Sequence, residues 1–113
     1  MIRIYHHPRC RKSRAGLEYL KEKTSKFETV DYIKNGISEN EIREIVAKVG
    51  ASPADLVRTQ EEYFKKQLKG KEISDEEWIR ILAENPKLLQ RPIIVTESRA
   101  VLGQPPENID KLL

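Results

Sequence analysis

The strongest constraint on this chain lies in its first 33 residues, where a period-two apolar segment, a helical segment and a second strand-like segment follow one another closely. Ile2 and Ile4 alternate with Arg3 and Tyr5 before His6-His7-Pro8 breaks the pattern. In SRAGLEYLKEK, Ala15, Gly16, Leu17 and Leu20 are expected to face the body of the protein from one helix. FETVDYI, residues 27 to 33, reads as the next strand. Strand, helix and strand in this order make a parallel crossover, the βαβ unit. A chain of 113 residues is expected to form one domain, residues 1–113, around a single core.

The remaining elements follow from capping signals. Ser38 with Glu41 forms a capping box ahead of Ile42, Ile45, Val46 and Val49, and Gly50 ends that helix. Ser52-Pro53 opens a short helix, Thr59 with Glu62 is expected to cap another over TQEEYFKKQLK, and Gly70 ends it. Ser74 with Glu77 repeats the signature before Trp78, Ile81 and Leu82, which share a face until Asn85-Pro86 stops the helix. RPIIVT and AVLG, residues 91–96 and 100–103, read as an antiparallel hairpin. A terminal helix after Pro105-Pro106 carries Ile109, Leu112 and Leu113. The expected fold class is α/β: a mixed four-stranded sheet with an inserted helical block over roughly residues 52–88.

The net charge of +3 comes from 21 basic against 18 acidic side chains, so the excess is small. It is concentrated in residues 1 to 14, where Arg3, Arg9, Arg11, Lys12 and Arg14 meet no acidic residue. A local site for a small anion is implied; a nucleic-acid surface would need a longer basic stripe with interleaved aromatics. With one cysteine there is no internal disulfide, and no stretch of the chain is apolar enough for a leader or a membrane span, so the cytoplasm is the expected location. His6 and His7 are too few to hold a metal.

The lone cysteine, Cys10, sits between Arg9 and Arg11 just ahead of the first helix. An ordinary thiol of pKa about 8.5 is only about 3% thiolate at neutral pH. Unpaired amides at a helix start, the helix dipole and flanking cations all favour the anion. Ser13, three residues on, is placed to offer its hydroxyl to the sulfur. A buried packing cysteine would not select arginine neighbours, so Cys10 is read as an activated nucleophile.

The run YHHPRCRKSRAGLEYL resembles the start of the glutaredoxin-coupled arsenate reductases, which have a thioredoxin-like (glutaredoxin-type) fold. QRPIIVT, residues 90–96, and DLVRTQ, residues 55–60, are similar to two further segments of that family, in the same order. The resemblance implies that Cys10 attacks arsenate or a similar oxyanion and that Arg58 and Arg91 bind it. It implies that His6, Ser13 and Arg14 support the thiolate and that Pro92 follows a cis peptide bond. No bound cofactor or metal is implied. Glutathione would be the external reductant and glutaredoxin the protein partner of a monomeric, cytoplasmic enzyme.

Two departures stand out. Where the reductases carry a third arginine near the C-terminus, LGQPPE places Gln104, and His7 stands for the family's asparagine. The other reading is a relative of the Spx-type regulators, which share the fold and bind RNA polymerase. Those carry two cysteines three apart, and Ser13 fills the second position here. A glutathione-linked thiol protein acting on another substrate is the third reading.

Overall fold

In a computed structural model that describes residues 1–113, β1 (Ile2–His6), β2 (Phe27–Asp31), β3 (Ile93–Val95) and β4 (Ala100–Leu102) form one sheet in the order β2-β1-β3-β4. β1 and β2 pair in parallel through α1 (Arg11–Lys23), while β3 runs antiparallel to both β1 and β4. The sheet is mixed and four-stranded, as expected.

Strand alternation divides the interior in two. Ile4 and Ile94 point to one face and meet Leu20 of α1 and Ile109. Tyr5, Ile93 and Val95 point to the other face, against Tyr32, Ile42 and Ile45 and the helical block. Both central strands are covered on both sides, so Tyr5 is fully buried where the sequence pattern put it opposite the core.

α3 (Glu39–Val49) has the reciprocal capping box: Glu41 N–H donates to Ser38 Oγ and Ser38 N–H donates to Glu41 Oε1, both at 3.1 Å. Gly50 closes it in the left-handed region at φ +78°. α4 (Asp75–Glu84) starts where Glu77 N–H donates to Ser74 Oγ, and buries Trp78, Ile79, Ile81 and Leu82.

Four expectations are corrected. The second strand stops at Asp31, whose side chain accepts from Lys34 N–H and turns the chain into a single helical turn, α2 (Tyr32–Asn35). No regular helix spans 59–69: Glu61 N–H closes a turn onto Arg58 C=O, and the helical part is a wide π-type turn, Phe64–Leu68. The Glu61 side chain is drawn back to Arg58, three residues earlier, and the helical part starts only after that turn, with Lys65 N–H donating to Glu61 C=O at 3.2 Å. The terminal helix is of the 3-10 type, Pro106–Leu112, and its period of three keeps Ile109 and Leu112 on the core side while Leu113 is exposed. On α1, Ala15 is exposed, and Ser13, Gly16 and Leu20 are the buried positions.

Two contacts set the functional end of the sheet. An isolated antiparallel bridge joins Val57 to Leu89, with Arg58 N–H donating to Leu88 C=O at 2.7 Å and Gln90 N–H to Leu56 C=O at 2.8 Å. It fastens the helical block to the segment entering β3 and so places Arg58 beside the approach to Arg91. The Arg91–Pro92 peptide is cis, as is Gln104–Pro105. Pro92 lies between two glycines, Gly16 of α1 and Gly103, and Gly103 N–H donates to Pro92 C=O at 2.8 Å.

A methyl group on Gly16 would lie 2.5 Å from Pro92 Cγ and 3.4 Å from the Gly103 carbonyl oxygen. Overpacking costs about 1–3 kcal/mol and the gain in helix propensity offsets about 1 kcal/mol of it. Gly16→Ala is therefore expected to lower stability by up to about 2 kcal/mol, seen as a lower urea midpoint at unchanged slope.

Candidate active site

Cys10 is the N-cap residue of α1, in extended conformation at φ −93° and ψ 123°, and its side chain is partly accessible. The loop before it is closed by Cys10 N–H donating to His7 C=O at 3.0 Å, and the helix begins with Arg14 N–H donating to Cys10 C=O at 2.9 Å. The sulfur thus stands at the amide-rich, electropositive end of a 13-residue helix with no acidic residue in its first turn.

Burial pushes the Cys10 pKa up, but the backbone N–H of Ser13, the Arg91 guanidinium and the backbone N–H of Lys12 outweigh it. The net direction is down, toward the thiolate. The influence on the sulfur is therefore more specific than the basic flanks suggest. Arg9, Arg11, Lys12 and Arg14 all have exposed side chains, and Arg14 uses Nη1 to donate to Pro8 C=O at 3.1 Å, bracing the loop. The guanidinium that acts on the sulfur comes from 81 residues away.

The Ser13 hydroxyl does not serve the sulfur. It is fully buried, accepts from His7 N–H at 2.9 Å and lies 2.7 Å from His6 Nδ1. Burial is the main influence on His6 and holds its pKa below the ordinary value, with Lys21 and Arg14 adding to the shift, against Asp31 and Ser13. A neutral imidazole can accept the Ser13 proton at Nδ1, which leaves Nε2 as the protonated nitrogen. His6 accordingly anchors the loop through Ser13, and the Ser13 amide, not its hydroxyl, faces the thiol.

Arg91 is only 7% exposed. Its Nη1 donates to Lys87 C=O at 2.9 Å and to Leu89 C=O at 3.5 Å, while its buried Nε has no partner. Arg58 is also largely covered, with Nε donating to Glu61 Oε2 at 3.1 Å. Both arginines act on His7, which burial and the Arg91 charge hold below its ordinary pKa. Both also act on the buried Tyr32, which burial pushes up to about 12 against their opposing influence. Cys10 is a further influence on Tyr32, so Cys10, Arg91, Arg58, His7 and Tyr32 form one cluster. A tetrahedral anion at such a cluster would meet a nucleophilic sulfur, two guanidinium groups and the amides of a helix start.

Tyr32 and Glu61 are the site residues that sequence reasoning missed. Tyr32 was hidden in a segment read as strand; the Asp31 cap with Lys34 is the signal that would have exposed it. Glu61 carried no signal beyond its spacing of three from Arg58.

Comparison with known proteins places the whole chain in one family. Residues 5–112 match the model of the ArsC family. The chain is 35% identical to an arsenate reductase of Neisseria meningitidis, with 99% of this chain and 97% of the relative covered. It is 36% identical to the YfgD protein of Escherichia coli K12 over 96% of this chain and 92% of that one. Among solved structures, the arsenate reductase of Vibrio cholerae superposes with a TM-score of 0.92 at 32% identity, covering 99% of this chain and 97% of the other. The fold is thioredoxin-like.

Two outcomes follow. Replacing Arg91 by Gln removes the charge beside the sulfur, so the pH midpoint of Cys10 alkylation by iodoacetamide is expected to move upward from that of the native chain. The two histidines have folded pKa values below the unfolded value, so the unfolded state binds more protons at mildly acidic pH. Their contribution is fully present above about pH 6.5 and is lost as pH falls through the folded values. Urea midpoints measured from neutral pH downward should decline, and less steeply in His6→Asn.

Proposed function

The chain belongs to the ArsC family, and from that premise we propose that it is an oxidoreductase that reduces arsenate or a related tetrahedral oxyanion with Cys10 as nucleophile. The observation that carries this reading is the pairing of a thiol of lowered pKa with a buried arginine whose Nε has no partner. A thiolate and an arriving oxyanion repel one another. Guanidinium groups on the oxyanion side relieve that repulsion and stabilise the charge that develops during displacement.

The steps balance as follows. Cys10 Sγ bonds to arsenic as one As–O bond breaks, and the departing oxygen leaves as water after protonation, with arsenic still pentavalent. An external thiol then attacks Cys10 sulfur. An S–S bond forms, the S–As bond breaks, and its electron pair stays on arsenic, giving trivalent arsenite. A second external thiol attacks that mixed disulfide and frees Cys10. Two electrons come from two thiols, and both are external because the chain has one cysteine. Glutathione fits the first thiol and a glutaredoxin the second.

Within this scheme Arg58 and Arg91 hold the oxyanion, Ser13 and His6 fix the loop, and Arg14 braces it through Pro8. Gln104 is exposed and lies one residue beyond the Gly103 that packs on Pro92. It can donate a hydrogen bond there but brings no charge.

With arsenate, glutathione and glutaredoxin supplied, Cys10→Ser is expected to abolish arsenite formation. Arg58→Ala and Arg91→Ala should each lower kcat/KM by about 10²-fold or more, and Gln104→Arg should raise it. Turnover that persists in Cys10→Ser would refute the scheme.

A further inference from the structure

Arg58 does not offer its whole fork of donors to the cluster around Cys10. Its Nε is engaged by Glu61 Oε2 at 3.1 Å, in a pair whose side chains are 14% and 28% exposed. The carboxylate is held there by the turn that Glu61 N–H closes onto Arg58 C=O. Glu61 also lines a cleft of about 310 Å³ with Ile33 and Lys87. Those same two residues line the neighbouring cleft of about 410 Å³ with His7, Pro8 and Arg9 of the Cys10 loop. Glu61 therefore lines a cleft adjacent to the one that the Cys10 loop lines.

An arginine clasps a tetrahedral anion through two nitrogens, either Nε with one Nη or the two terminal nitrogens. With Nε occupied, only the terminal edge remains, and a fixed negative charge stands beside it. Pairs this sheltered are screened less by salt than exposed ones. We propose that Glu61 sets the oxyanion affinity of this site, acting as an internal competitor that an incoming oxyanion displaces from Arg58. This rests on the oxyanion reading of Arg58 given above. A built-in competitor weakens all non-covalent docking, so sulfate and phosphate, which only dock, are held off. An oxyanion that goes on to bond with Cys10 retains its advantage. Glu61 thus sets the docking affinity of the site and leaves discrimination among oxyanions to the chemistry at Cys10.

The test is protection of Cys10 from iodoacetamide by sulfate and by arsenate at matched ionic strength. Glu61→Gln is expected to lower the half-protecting sulfate concentration about fivefold, the competitor having been removed. In an Arg58→Ala background the same substitution should change it less than about twofold, since the pair no longer exists. Glu61→Ala carries the same expectation, and damage to the fold cannot imitate the result because it does not tighten binding. An unchanged or raised half-protecting concentration overturns the inference, as does an equal gain without Arg58. A native chain that no oxyanion protects overturns the oxyanion reading together with it; protection with no Glu61 effect overturns the inference alone.

Discussion

A guanidinium that is 7% exposed and leaves its Nε without a partner is costly unless negative charge stands beside it, and the organisation around Cys10 follows from that fact. Two backbone carbonyls, of Lys87 and Leu89, take up Arg91 Nη1 but bring only partial charges. The full charge available is the thiolate, and the pairing is mutual: Arg91 draws the sulfur toward ionisation while the ionised sulfur compensates Arg91. Tyr32 cannot compensate it, because burial keeps its phenol protonated. The arrangement is therefore selective for an anion by construction, and an oxyanion supplies more acceptors than a lone sulfur.

The fold delivers these groups from distant parts of the chain with little backbone to spare. α1 can approach the strand-entry segment because Gly16 and Gly103 leave room for the Pro92 ring between them. The bridge between Val57 and Leu89 brings Arg58 to the same place, so one short segment, Leu88 to Pro92, receives both the helical block and α1. Substitutions in this segment act on the site through packing as well as charge. The inserted block is thus part of the site and not an ornament on its surface.

The elements whose formation is local were legible in the sequence. Capping residues at Ser38 and Ser74 and the left-handed glycine at Gly50 act within one helical turn, and the structure shows each of them. The hairpin was legible from the three residues, Glu97 to Arg99, that separate its strands, and the crossover β1-α1-β2 from the order strand, helix, strand. Thr59 misled because its expected helix competes with a tertiary demand, the bridge and the Arg58–Glu61 pair, which holds the chain in a turn. Ser13 misled more instructively: its spacing from Cys10 was read as hydroxyl to sulfur, but the hydroxyl was claimed by His6 and His7. Spacing along a helix predicts which residues are neighbours, and the competition among their polar groups is settled only in three dimensions.

Charge balance links Gln104, which stands where the family carries a third arginine, to the Arg58–Glu61 pair. Gln104 supplies none of the charge that a third arginine would, and Glu61 offsets part of what Arg58 does supply. A site with three unopposed arginines would bind a dianion tightly and also bind sulfate and phosphate, which are chemically idle toward a thiolate. Reducing the charge weakens docking of all three oxyanions together, yet leaves the S–As bond, which only arsenate among them forms readily, untouched. Among the cations, Arg91 has the main influence on Cys10, where its charge favours the thiolate. On this argument a glutamine at position 104 lowers docking affinity and leaves discrimination to the chemistry at the sulfur, and the exposed cations Arg9, Arg11 and Lys12 favour the arrival of an anion at the loop.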